Sequence, residues 1–122
     1  MKSVSRITTI RERMLIGSLL PERGHVADLL ILRELESALS FTAAEHEQLK
    51  LRNIGNGVVQ WDETMARQMT KEIPFPPRAV EIIAERLRQL DQDGQLHKDY
   101  LDLYEWFIEA NTANVLESEA KP

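Results

Sequence analysis

The chain has 122 residues, a formal net charge of −5 and no cysteine. This length is typical of one domain with an ordinary hydrophobic core, and the lack of cysteine excludes disulfides, thiolate zinc sites and cysteine nucleophiles. The longest apolar run, Leu29 to Leu32, is too short to span a bilayer. The polar N-terminus has no apolar signal core, so we expect a protein of the cytoplasm.

The charge is unevenly distributed along the chain. Residues 1–33 contain six basic and three acidic residues, whereas residues 71–122 contain six basic and eleven acidic residues. An acidic body repels phosphate backbones and disfavours non-specific nucleic-acid binding. The basic N-terminal third could still meet a polyanion or the acidic region of another copy, although solvated helix surfaces commonly carry such charges.

Three helices are predicted in the first half of the chain. Apolar residues at helical spacing from Ile7 to Leu19 predict the first helix. The second runs from Val26 to Ser40, and its Leu29–Leu32 run predicts burial on several sides. The third is short, from Ala43 to Gln48, and begins at a capping box formed by Thr42 and Glu45.

The middle of the chain predicts β-structure. Two β-prone runs flank Gly55-Asn56-Gly57, and these turn residues favour a β-hairpin because hairpin turns need positive φ. Residues 62–70 show no clear pattern. Lys71–Phe75 could form a third, short strand, which Pro74 would keep at a sheet edge.

Two helices are predicted at the end, from Pro77 to Leu90 and from His97 to Ala110, and they should pack as an antiparallel pair. The fold class is therefore α+β and mostly helical, with four or five helices and a small antiparallel hairpin or three-stranded sheet. Residues 1–110 should form a single domain, and residues 111–122 a polar tail that frays.

Residues that could support catalysis or metal binding are not arranged for it in the sequence. Asp91, Asp93 and Gly94 lack the remaining ligands of a calcium loop and fit a helix end. The three histidines have no metal-ligand spacing, and the carboxylates of the last helix lie on its polar face. We therefore expect no metal, no cofactor and no enzymatic activity.

Three helices followed by a hairpin is the order of a winged-helix DNA-binding domain. The helix that would read DNA carries outward carboxylates at Glu45 and Glu47 and no arginine for guanine. Only a few cations could hold a DNA backbone, namely Lys50, Arg52, Arg11 and Arg13. A DNA-binding regulator is thus the alternative function.

The last helix carries an aromatic surplus with two interpretations. Core packing is the more frequent outcome for such residues, whereas tryptophan and tyrosine are also enriched in protein interfaces. The candidate partner surface consists of Tyr100, Tyr104, Trp106 and Phe107. Without a catalytic constellation, a protein–protein contact, including self-association, is the favoured function.

Three segments carry a resemblance to a known group of proteins. They are Ile7 to Gly24 (ITTIRERMLIGSLLPERG), Val59 to Glu63 (VQWDE) and Lys71 to Phe107, which contains KEIPFP, LRQLDQDGQL and LDLYEWF. Across most of its length the chain resembles small proteins of bacteriophages and prophages. The group has no known activity, so it transfers a role to no residue. The resemblance implies a phage or prophage accessory protein in a bacterial cytoplasm.

Overall fold

The computed structural model describes residues 3–120, with side chains up to residue 114. Within these residues, six helices and two separate two-stranded antiparallel sheets form a mostly helical α+β fold, which confirms the predicted class. The elements are β1 (Val4–Thr9), α1 (Ile10–Leu19), α2 (Val26–Leu39), α3 (Ala43–Leu49), β2 (Arg52–Gly55), β3 (Val58–Gln60), α4 (Glu63–Gln68), β4 (Thr70–Phe75), α5 (Pro77–Gln92), a 3₁₀ turn (Lys98–Tyr100) and α6 (Leu101–Ala120).

The prediction of a helix from Ile7 was wrong, because the chain first forms strand β1. Helix α1 begins only at Ile10, where Thr9 caps it and Glu12 bonds back to the Thr9 backbone N–H, so the two residues form a capping box. Ile7 lies on β1 with 67% of its surface exposed. The spacing from Ile7 to Ile10 fits a helix by chance, since the two residues belong to different elements.

Strand β1 forms because β4 pairs with it in antiparallel register. Ile7 lies opposite Glu72, and Val4 lies opposite the fully buried Phe75. Thr8 is buried and its hydroxyl donates to the Lys71 carbonyl at 2.8 Å. The predicted strand Lys71–Phe75 is therefore confirmed, but it joins the N-terminus of the chain rather than the hairpin.

Helix α2 has nearly the predicted bounds, but its apolar run is not buried on several sides. Only Leu32 of the run is buried, while Leu30 lies largely in solvent. The helix packs against α1, β4 and α5. Since these neighbours lie against only part of its circumference, the other apolar residues of the run stay partly exposed.

The main core lies where α5 and α6 pack against β4. Phe75, Ile83, Leu87, Leu103 and Phe107 are all fully or almost fully buried there. Helix α5 supplies the largest share of these side chains, at the three- and four-residue spacings that predicted it. The antiparallel helix pair expected from the sequence is thus the centre of the domain.

Helix α6 does not end at Ala110, as predicted, but continues to Ala120. Asn111 and Asn114 are buried along this extension, so these polar residues continue the buried face of α6 and do not mark the end of the helix. Residues 121 and 122 of the predicted tail lie outside the described residues. No helix between residues 3 and 120 is long and apolar enough to cross a membrane.

A smaller core supports the hairpin. Ile10, Leu49 and Ala66 are its buried members, contributed by α1, α3 and α4. Helix α4 occupies the stretch that had no clear pattern in the sequence, and Asp62 caps it by accepting from the Met65 N–H at 3.1 Å. The hairpin therefore lies beside a small core built from three helices.

Candidate functional site

The predicted aromatic partner surface on α6 is mostly internal. Phe107 is fully buried, with its ring centroid 5.2 Å from that of Phe75, so it cannot contact a partner. Trp106 packs edge-on against Phe107 at 4.8 Å and lies 5.4 Å below the Arg6 guanidinium. Trp106 and Phe107 therefore fill the junction between β1, β4 and α6.

The two tyrosines of that set are half-buried against the same core. The Tyr100 hydroxyl lies 2.8 Å from the Ser18 hydroxyl and so ties the start of α6 to α1. Tyr104 packs beside it on the next turn of the helix. Most of this aromatic cluster therefore packs in the core. The reason is that α5 and β4 cover the face of α6 for which the sequence allowed either core packing or a partner contact.

Arg13, proposed as a phosphate contact, is instead a buried structural residue. Its guanidinium binds both oxygens of Glu45, at 2.6 and 3.1 Å, and donates to the carbonyls of Leu39 and Ser40. Its outer face lies 4.6 Å from the centre of the Phe41 ring. Arg13 therefore joins α1 to the end of α2 and the start of α3, and it is not available to a nucleic acid.

The same ion pair corrects the predicted outward orientation of Glu45. The hydrogen bonds from Arg13 lower the pKa of the Glu45 carboxyl to about 2, and partial burial acts in the opposite direction. A capping bond with the Thr42 N–H, at 2.9 Å, contributes to the same lowering. Glu45 is thus ionised and turned toward α1, while Glu47 remains exposed on α3.

The other predicted cations remain on the surface. Arg11 is exposed and pairs with Asp99 at 2.8 Å. Lys50 ends α3 in the left-handed conformation with φ 51°, and Arg52 opens β2. Lys50 and Arg52 thus lie two residues apart at the start of the hairpin, whereas Arg11 lies on α1.

The hairpin is the most exposed regular element in the described chain. Every residue of β2 and β3 is exposed, although three of them are large and apolar: Ile54 at 53%, Val58 at 49% and Val59 at 39%. Strand propensity explains why β-branched residues occur here. It does not explain why they are exposed to solvent on both faces of the hairpin. Exposed apolar residues that adjoin one another typically mark an interaction site.

An apolar groove of about 310 Å³ adjoins the hairpin at Val59. Met14, Phe41 and Leu51 supply its other apolar side chains, and His46 and Arg52 also line it. Phe41 is held by Arg13 on one face and by the edge of His46 at 6.0 Å. We define the hairpin patch as the apolar side chains that line this groove, namely Met14, Phe41, Leu51 and Val59.

A second, polar cleft of about 450 Å³ lies between the starts of α1 and α6. Arg11, Lys98, Asp99 and Asp102 line it, so carboxylates and cations share this cleft. Asp99 accepts from Arg11, and Glu12 at its edge accepts from Arg6 at 2.5 Å. These pairs join elements of the fold, and opposite charges offset one another along the cleft.

The residues weighed for metal binding have structural positions. Gly94 adopts φ 68° after the end of α5, as the prediction of a helix terminus requires. His97 accepts from the Asp99 N–H at 3.1 Å and caps the 3₁₀ turn, as expected of a capping residue. Among the residues described, no three His, Asp or Glu side chains converge where an ion could bind.

In comparisons with known proteins, no family model, no curated protein and no solved structure matches the chain. The hairpin patch was missed in the sequence, where Met14 and Phe41 are distant from Val59. The exposed valines beside Gly55-Asn56-Gly57 were the available signal, but alternation alone does not distinguish a solvated hairpin from one that packs on the core.

Proposed function

We propose that this chain is a non-enzymatic accessory protein of a phage or prophage that acts in the bacterial cytoplasm through protein–protein contacts. The hairpin patch is the observation that carries this proposal. Met14 and Val59 in this patch are 37% and 39% exposed, and neither belongs to the main core. The resemblance to small phage and prophage proteins supports the proposed context.

The contact is tested by comparing the wild type with a Met14→Ser/Val59→Ser variant. Both positions are exposed, so the variant should fold like the wild type by circular dichroism. We expect the wild type to recover a specific host or phage protein from lysate, or to self-associate in sedimentation, and the variant to lose that contact. Ile7→Ser removes an exposed apolar residue of strand β1 that does not line the groove and should change nothing. A strictly monomeric wild type that recovers no partner would contradict the proposal.

A winged-helix regulator of DNA is the second candidate. The order α1, α2, α3 and hairpin supports it, as do the neighbouring cations Lys50 and Arg52. Arg13 and Glu45 neutralise each other inside the domain, so α3 would approach DNA without an arginine. This candidate has weaker support because so few cations are available, and phosphate contacts supply most of the affinity for DNA.

A further inference from the structure

The charge around the hairpin patch is opposite to that of the whole chain. The protein has 20 acidic and 15 basic residues, yet the stretch from Gln48 to Trp61 contains no Asp or Glu and includes Lys50 and Arg52. None of the ion pairs between described residues involves these two cations. The patch therefore presents positive charge on an otherwise acidic molecule.

Nearby carboxylates do not cancel that charge. Glu45 is occupied by Arg13, and the Asp62 carboxylate accepts from the Met65 N–H at the start of α4. Glu47, exposed on α3, and Glu36, exposed on α2 at an adjoining cavity that Met14 and Phe41 also line, are acidic residues that remain near the groove. No carboxylate of the described residues lines the groove itself, whereas Arg52 does, and Lys50 lies two residues before it.

We propose that the hairpin patch binds a peptide segment of a partner protein in which apolar side chains alternate with, or are flanked by, carboxylates. This inference rests on the proposed function and names the chemistry of the partner. The apolar side chains enter the groove formed by Met14, Phe41 and Leu51 and cover Val59 of the hairpin. The carboxylates meet Arg52 and Lys50, and these cations select against basic segments. The apolar groove selects against a nucleic-acid backbone, which has no apolar side chains to fill it.

The proportions of the site fit such an occupant. A groove of about 310 Å³ lies at the lower end of the volumes that bind small organic ligands, which suits one or two anchoring side chains. Peptide recognition commonly combines such an anchor pocket with charge selection at its rim.

The test is selection of binders from a ribosome-displayed library of random short peptides on the purified full chain. We expect enriched peptides to combine Leu, Ile or Phe with Asp or Glu. Lys50→Glu/Arg52→Glu should weaken them about tenfold in fluorescence polarisation, and added salt should weaken them in the wild type. Arg86→Glu/Arg88→Glu, two exposed charge reversals on α5, is the matched control and should leave affinity unchanged.

Each other outcome overturns the inference. Enriched peptides that are basic, or no enrichment over the Met14→Ser/Val59→Ser variant, would show that the patch does not select acidic segments. Self-association or duplex-DNA binding that the same variants abolish would assign the patch to a second copy or to nucleic acid. If a partner from lysate still requires Val59 while selected peptides are basic, the proposed function stands and only the partner chemistry fails.

Discussion

At the scale of single residues, Arg13 shows why an arginine and not a lysine stands in α1. Its planar guanidinium serves two carbonyls at the end of α2 and both oxygens of Glu45 at once. A lysine ammonium has three donors on a flexible stem and cannot match that geometry. Lys71 adds a further cation by donating to the Ala38 carbonyl at 2.9 Å, so the negative end of α2 is compensated from two elements.

The Arg13–Glu45 pair predicts acid sensitivity. Because the folded pKa of Glu45 is about 2 and its ordinary value is 4.5, its stabilisation is fully present above pH 4.5 and is lost as the pH falls toward 2. The shift corresponds to about 3 kcal/mol of unfolding free energy. Urea titrations should show the wild type more stable than Glu45→Gln by about this amount near neutral pH, with the difference nearly gone at the acid end.

Asp28 provides an internal control for that measurement. Hydrogen bonds from Arg78 also lower the pKa of the Asp28 carboxyl. Protonation of Asp28 on acidification therefore destabilises the fold, as protonation of Glu45 does. Asp28 is present in both proteins, and its contribution cancels in their difference. A difference between wild type and Glu45→Gln that stays constant with pH would show that the ion pair is not coupled to folding.

At the scale of elements, the hairpin is supported at its base by the smaller core, and its exposed strands depend on the turn between them. Gly55, Asn56 and Gly57 have φ values of 98°, 53° and 74°, three consecutive left-handed residues. The Asn53 side chain accepts from the Gly55 N–H at 3.0 Å and helps to close the turn. An isolated two-stranded hairpin is marginally stable in water, so turn chemistry decides whether this one forms.

Gly57→Val should therefore unfold the hairpin without unfolding the domain. A β-branched residue at φ 74° is strained by roughly 1–3 kcal/mol, which exceeds what a solvent-exposed hairpin can recover. We expect cross-strand NOEs between Asn53 and Val59 to disappear while the melting temperature changes by only a few degrees. Asn56→Gly, which keeps the turn permissive, should retain those NOEs, and a large loss of melting temperature in Gly57→Val would mean that the hairpin supports the core.

At the scale of the whole molecule, folding redistributes charge. The N-terminal third carries the basic excess, yet Arg6, Arg11 and Arg13 each pair with a carboxylate. Their partners are Glu12, Asp99 and Glu45, of which Asp99 comes from the acidic C-terminal third. Half of the six cations of the basic region are thereby paired, whereas Lys50 and Arg52 beside the hairpin take part in no ion pair among the described residues.

This distribution predicts weak binding to duplex DNA. We expect no gel shift at physiological salt, because two neighbouring cations release few counterions and the acidic body repels phosphate. Measurement at low and physiological salt with wild type and Lys50→Glu/Arg52→Glu checks it. A shift by the wild type that falls steeply with salt and is lost in the variant would favour the winged-helix candidate instead.

Local chemistry in the sequence determined the helices α2, α3 and α5, the Thr42–Glu45 capping box and the hairpin turn, because each depends on neighbours within a few residues. Tertiary structure decided the rest. Strand β1 exists only because β4 pairs with it, with Ile7 opposite Glu72, and no local pattern encodes a partner so distant along the chain. Phe107 became core and Val59 became surface for the same reason: burial depends on which faces meet, and side chains of equal hydrophobicity differ in exposure once α5, α6 and the sheets are assembled.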